Sequence, residues 1–298
     1  MSRRLVYAFL SLGCLLAGCR GVPVQTPTET ITRPAKQTLA QKKLALSQKK
    51  KQATQLPEVL GGIVKSDEWI IYKDKEQEEF SGHVFYDNGA YTFQSNYALS
   101  DRKNHTFTAS GNVYAKQKDA QNTVYEAYAD YARYNYQTGK GLLKSTTKNL
   151  VRLILTEAAQ TVTAQAKQIT FDTNQQIFVL TGNVDAKRTT PEGTQTIRAQ
   201  KATLKQLEDY LLLEGNAVLA DDLRTLQADT VIYDEAHNQA HAYGARPLAT
   251  GSTEQGTFAI IADTISSDAQ GNVVTLDGKV QGWLVSPELN NNKINTKF

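Results

Sequence analysis

Cysteine is nearly absent from this chain. Only Cys14 and Cys19 occur in 298 residues, so no disulfide framework spans the sequence and its stability rests on an apolar core. A thiol nucleophile in the body of the chain is excluded for the same reason. Charge of one sign is also lacking: 33 Lys and Arg stand against 30 Asp and Glu, a net +3. Much of the Lys excess lies before residue 60, and the remainder offers no basic footprint for nucleic acid. Histidine is scarce, at four residues. His237 and His241 are four apart, but they fall in a turn and a strand, where that spacing does not share a face; no metal site is expected. Gly139-Lys140-Gly141 lacks the length and the following Ser or Thr of a phosphate loop. Scattered Asp and Glu sit mostly at turns, where they cap local backbone. The chain therefore reads as no enzyme, with no cofactor.

What is present begins with a signal. Arg3-Arg4, an apolar run from Leu5 to Leu16 and then Leu16-Ala17-Gly18-Cys19 form a secretory leader over 1–18, with a small-residue cleavage site. The run is too short to span a bilayer as a helix. Cys19 directly after Leu-Ala-Gly resembles the bacterial lipobox, which implies cleavage before Cys19 and lipidation of its thiol. Residues 19–60 follow as a tether, with Pro23, Pro27, Pro34 and Pro57, many Thr and Gln, and no periodic apolar face. Six Lys between Lys36 and Lys51 read as a solvated run rather than a membrane-resting face. A polar tail closes the chain over 286–298.

Between tether and tail, over 61–285, one pattern recurs. A small residue is followed sixteen positions later by Gly or a stand-in: Ser66/Gly82, Ser95/Gly111, Ala129/Ser145, Ala166/Gly182, Ala199/Gly215, Ala228/Gly244 and Ala262/Gly278. Such a period marks one supersecondary unit stacked on copies of itself. Each unit reads as strand, polar turn, strand. Trp69, Ala98, Ala132, Ile169, Ala202, Val231 and Ile265 lie three residues after the opening position. Ile71, Ser100, Tyr134, Phe171, Leu204, Tyr233 and Ser267 come two later, on the same strand face. Phe80, Ala109, Leu143, Leu180, Leu213, Ala242 and Leu276 stand two before the Gly. The Gly itself, often in Gly-x-Val, is expected to bend every rung at one point. Ser145 in the third unit, and Gly244-Ala245-Arg246-Pro247 in the sixth, predict irregular second strands.

The run Ala166-Lys167-Gln168-Ile169-Thr170-Phe171-Asp172, with Phe178-Val179-Leu180-Thr181-Gly182-Asn183-Val184, resembles the OstA-like family of periplasmic lipopolysaccharide-transport proteins. Ala228-Asp229-Thr230-Val231-Ile232-Tyr233-Asp234 and Ala262-Asp263-Thr264-Ile265 repeat the signature, and the resemblance covers about 66 to 284. It implies an all-β fold: an elongated V-shaped β-jellyroll (a β-taco) of stacked antiparallel strands in about seven repeats. It also implies lipid A acyl chains in the interior and edge-to-edge joining with other OstA-like domains by β-strand addition. The lipobox sets the chain apart from the family's soluble bridge protein and from its helix-anchored inner-membrane member.

An acyl chain gains about 0.8 kcal/mol per buried methylene, so an apolar groove needs no directional chemistry. The expected lining is Trp69, Ile71, Phe107, Tyr134, Leu143, Ile169, Phe171, Phe178, Leu180, Leu211, Leu213, Val231, Tyr233, Val274 and Leu276. Lys187 and Arg188, just past the Phe178–Leu180 strand, are expected to be wet. The resulting expectation is a periplasmic protein held in a membrane by lipidated Cys19, the outer membrane being favoured and the inner the alternative. It would bind lipopolysaccharide or a related glycolipid and pass it along a β-bridge. A lipid-anchored scaffold with a dry core is the alternative. An outer-membrane barrel, suggested by Phe298, is disfavoured because Arg198 to Lys205 lacks a lipid-facing alternation.

Overall fold

A computed structural model describes residues 62–285, except 119–121, 146–148, 192, 235–236, 238, 254–255 and 269–272. The leader at 1–18, Cys19, the tether and the tail at 286–298 lie outside the described residues. Twenty strands occur among those described. They begin with β1 (Ile63–Lys65), β2 (Glu68–Tyr72), β3 (Gln77–Asp87), β4 (Tyr91–Asp101), β5 (Thr106–Lys118), β6 (Val124–Asn135) and β7 (Lys140–Lys144). Next come β8 (Val151–Glu157), β9 (Gln160–Ala166), β10 (Gln168–Asp172), β11 (Ile177–Thr190), β12 (Gly193–Lys205), β13 (Tyr210–Ala220) and β14 (Arg224–Asp234). The last are β15 (Gln239–Tyr243), β16 (Leu248–Thr253), β17 (Gly256–Ile261), β18 (Thr264–Ser267), β19 (Val274–Asp277) and β20 (Gln281–Val285). Among the described residues, one 3-10 turn, Gln206–Glu208, interrupts this all-β pattern.

The pairings resolve into two arms that share a spine. Arm I runs β2-β3-β4-β5-β6-β7-β10-β11-β12-β13-β14-β15-β18-β19, every neighbour antiparallel. Arm II runs β1-β3-β4-β5-β6-β8-β9-β11-β12-β13-β14-β16-β17-β20. Eight long strands pass through both arms, and the other twelve are confined to one. Each arm is thus fourteen strands, or seven hairpins, matching the seven units of the sequence. The result is a V-shaped jellyroll folded along its length.

The fold line is built from the glycines. Gly82, Gly111, Gly182, Gly215, Gly244 and Gly278 have φ between +70° and +80°, and the residue after each is also left-handed. Two residues there oppose one on the partner strand: the β3–β4 register jumps between Ser81 and Val84, and β11–β12 between Thr181 and Val184. Such a bulge bends the strand and re-aims the side chains beyond it. The expectation of one shared bend is therefore met. The third and sixth units do break their second strands, into β7 and β8 and into β15 and β16.

Inside the V, alternate residues of both arms form one continuous apolar core. Burying each Leu, Ile, Val or Phe contributes roughly 1.5–3 kcal/mol, and stacked copies supply the surface that one hairpin could not bury alone.

Candidate functional site

The register turns the sequence period into a row. Trp69, Phe80, Ala98, Ala109, Ala132, Leu143, Ile169, Leu180, Ala202, Leu213, Val231, Ala242, Ile265 and Leu276 are each the paired neighbour of the next, from one edge of arm I to the other. Directly paired residues share a face, so all of them look into the V. A second inward row, two residues nearer the turns, contains Ile71, Phe107, Tyr134, Phe171, Phe178, Leu211, Tyr233 and Val274. Every expected lining residue falls in one of these two rows. Nine of them are buried: Leu143, Ile169, Phe171, Phe178, Leu180, Leu211, Leu213, Val231 and Tyr233. Phe107, Tyr134 and Leu276 pack on the core half-buried, while Trp69, Ile71 and Val274 are exposed on the edge strands.

An aromatic ladder occupies the middle of the second row. The Tyr134 and Phe171 rings stack with centroids 6.0 Å apart, and Phe171 and Phe178 follow at 6.3 Å. Between Tyr134 and Phe171 the register places Gly141. A Cβ on Gly141 would collide with the Phe171 ring. The glycine therefore makes room for the ring.

Arm II supplies the opposite wall, which the repeat pattern alone did not assign. Its inward row includes Phe93, Ala115, Ala127, Leu153, Ala164, Ala186, Ile197 and Leu219. The alternation Val151, Leu153, Leu155, all buried, was the available signal. Phe93 meets Phe107 of arm I edge-to-face at 5.3 Å and 78°, a contact from wall to wall. Beside it lies a small apolar cavity of about 40 Å³.

Arg188 and Gln117 are among the polar side chains buried in this wall. Arg188 is only 5% exposed, against the expectation that it is wet; Lys187, beside it, is exposed. The reason is parity: Val184, Ala186 and Arg188 alternate inward along β11, beyond the bulge. The Arg188 Nε donates to Gln160 Oε1 at 2.8 Å, and its guanidinium reaches Gln195 Oε1 at 3.3 Å. Gln117, also buried, donates from Nε2 to the Tyr91 hydroxyl at 3.2 Å.

Shifted titratable groups lie outside this interior. Hydrogen bonds from the Asn104 side chain, its backbone N–H and Gln77 hold the Asp101 carboxyl, at a turn of arm I, below the ordinary carboxylate range. Burial and then the Glu126 carboxylate push the Tyr114 phenol up. His237 bonds Asp234 at 2.7 Å and His241 bonds Ser266 at 2.6 Å; among the described residues no group of three His, Cys, Asp or Glu is placed to hold a metal. The interior is closed and apolar, with Arg188 and Gln117 among its buried polar groups.

Both ends of the V are open edges. Among the described residues β1 and β2 pair only with β3, while β19 pairs only with β18 and β20 only with β17. Large apolar side chains stand exposed there: Ile63, Trp69 and Ile71 at one end, Val274, Trp283 and Leu284 at the other.

Residues 92–201, from β4 into β12, match the family model described as LptA/(LptD N-terminal domain) LPS transport protein. Among solved structures, the chain is similar to LptH of Pseudomonas aeruginosa, described as the LptA homologous periplasmic component of the conserved lipopolysaccharide transport device. That likeness has 20% identity and a TM-score of 0.32, and covers 40% of this chain and 80% of the other. No curated protein matches.

Proposed function

With an OstA-like domain of the lipopolysaccharide-transport family carried over residues 92–201, we propose that this chain shelters lipopolysaccharide, or a related glycolipid, by its acyl chains and passes it between membranes. The observation that carries this reading is the inward row of arm I. It is apolar throughout and runs from exposed Trp69 to Leu276 on the last strand. An acyl chain anywhere on that track meets the same surface, so it can move along without a directional bond to break.

The open edges extend the track. Unpaired N–H and C=O groups on β1, β2, β19 and β20 are a template for another OstA-like domain. A head-to-tail contact of this kind builds an open row rather than a closed dimer. Lipidated Cys19 would hold the chain in a membrane, the outer one by our reading, with 19–60 as tether. Cys19→Ala should then leave an unprocessed or soluble protein; unchanged detergent partitioning would remove the anchor from the proposal.

One observation favours the cargo-free scaffold. The walls are in contact and the cavity between them is about 40 Å³, so lipid entry requires the arms to part. A photo-reactive residue at inward Phe178, compared with one at outward Val179, separates the readings. Lipopolysaccharide adducts at 178 and none at 179 support transport; none at either, in cells making lipopolysaccharide, supports the scaffold.

A further inference from the structure

We propose that the sector of the interior between β4 and β6 is a subsite for one acyl chain whose neutral head carries a hydrogen-bond donor, and that Gln117 Oε1 accepts that bond. The proposal rests on the reading that the interior takes acyl chains, and adds where and by what chemistry.

Parting the walls of the V exposes the apolar area they bury, so they separate at least cost where side chains are smallest. In arm I, Ala98, Ala109 and Ala132 are three consecutive members of the inward row; Ala115 and Ala127 are paired in the facing row of arm II. Farther along the interior, Leu155, Ile169 and Leu213 are each fully buried. The cavity lies in the sector between β4 and β6, lined by Val113, Ala115, Ala127 and Ala132 together with the larger Phe93, Phe107, Tyr134 and Leu143. Voids forfeit dispersion contacts, and this one marks where the packing is already incomplete.

The independent observation is Gln117. Its side chain is buried, yet its Oε1 has no hydrogen-bond partner, while its Nε2 is committed to Tyr91. A buried acceptor without a donor is costly and uncommon. Val113, Ala115 and Gln117 alternate on the inward face of β5, running from the fold line toward the strand end. Four residues of strand span about 13 Å, so a chain lying along Val113 and Ala115 brings its head to Gln117. What Oε1 lacks is a proton donor. An amide N–H or a hydroxyl at the head of the chain provides one; an ester does not, and an ionised carboxylate opposes the amide oxygen.

Binding of dodecanamide, 1-dodecanol and methyl dodecanoate to the purified full-length chain tests this. A neutral hydrogen bond is worth roughly three- to tenfold in affinity. The wild type should hold dodecanamide and 1-dodecanol, both of which donate, that much more tightly than the ester. Gln117→Leu should bring amide and ester to equal affinity, with Gln117→Met as a second variant and thermal unfolding to confirm the fold. Ala132→Leu should weaken amide and ester alike and leave their ratio intact. Equal binding of amide and ester by the wild type, or a ratio that survives in Gln117→Leu, overturns the Gln117 assignment and leaves the lipid reading standing. No binding of any probe overturns both.

Discussion

Ser145 Oγ lies 3.1 Å from Asp130 Oδ2, at the corner where the third unit has no glycine. At the other corners the residue fifteen positions earlier, such as Asp67, Lys167 or Asp263, lies over the glycine where a Cβ would crowd it. The third corner replaces that close approach with a bond, and the Ser145 hydroxyl also reaches the Asn149 carbonyl. Its strand stops at Lys144 and resumes at Val151.

Strain at the glycine corners is measurable. Gly182 sits at φ +80° against the Lys167 side chain, and a left-handed conformation costs a residue with a Cβ about 1–2 kcal/mol. Gly182→Ala should lose that much in urea unfolding. No loss from Gly182→Ala would contradict the role given to the fold line.

Gly141 tests the aromatic ladder. Gly141→Val must displace the Phe171 ring, which lies where the new side chain would go. Overpacking of this kind costs about 1–3 kcal/mol. The expected result is a lower urea midpoint and loss of near-ultraviolet aromatic signal. A variant as stable as wild type, with that signal intact, would show that the ring does not need the space.

Asp101 carries a pH dependence. Its carboxyl is held below the ordinary range, so its contribution to stability is full above the unfolded value of about 4 and is lost as pH falls through the lower folded value. The stability gap between wild type and Asp101→Asn should be present near neutral pH and shrink once the pH drops below about 4. A gap that stays constant into strong acid would rule the ionised carboxylate out as its source.

Association should localise to the edges. Photo-crosslinkers at Ile71 of β2 and Val274 of β19 should capture OstA-like partners, while a probe at outward Thr203 of β12 should not. Equal capture from all three positions would argue against strand addition at the ends.

The inward rows of arm I were legible in the sequence. Residues three after each opening position and two before each glycine pair across the arm, as Ile169 and Leu180 do in the unit that opens at Ala166. The period alone therefore placed them on one face. Arm II was not legible in the same way. Its inward residues are counted from the corner, and the strand opposite each glycine changes parity there, as between Ala199 and Ala202 of β12. β11 keeps its parity across Gly182, so Arg188 turns inward in step with Phe178 and Leu180, an alternation that the expectation of a wet Arg188 overlooked. Gly141 carried no local signal, because its role depends on a ring thirty residues away in sequence, brought beside it only by the β7–β10 pairing.

The most direct test of the lipid reading is native mass spectrometry of the full-length chain purified from its own envelope, wild type against Phe178→Asp, with Lys187→Glu on the exposed face as control. A charge on the inward row meets acyl chains and opposes their burial. The wild type and the Lys187→Glu protein should carry bound glycolipid, and a folded Phe178→Asp protein should carry little or none. Glycolipid retained in folded Phe178→Asp at the wild-type level, or absent from the wild type, would contradict the transport of lipid through this interior.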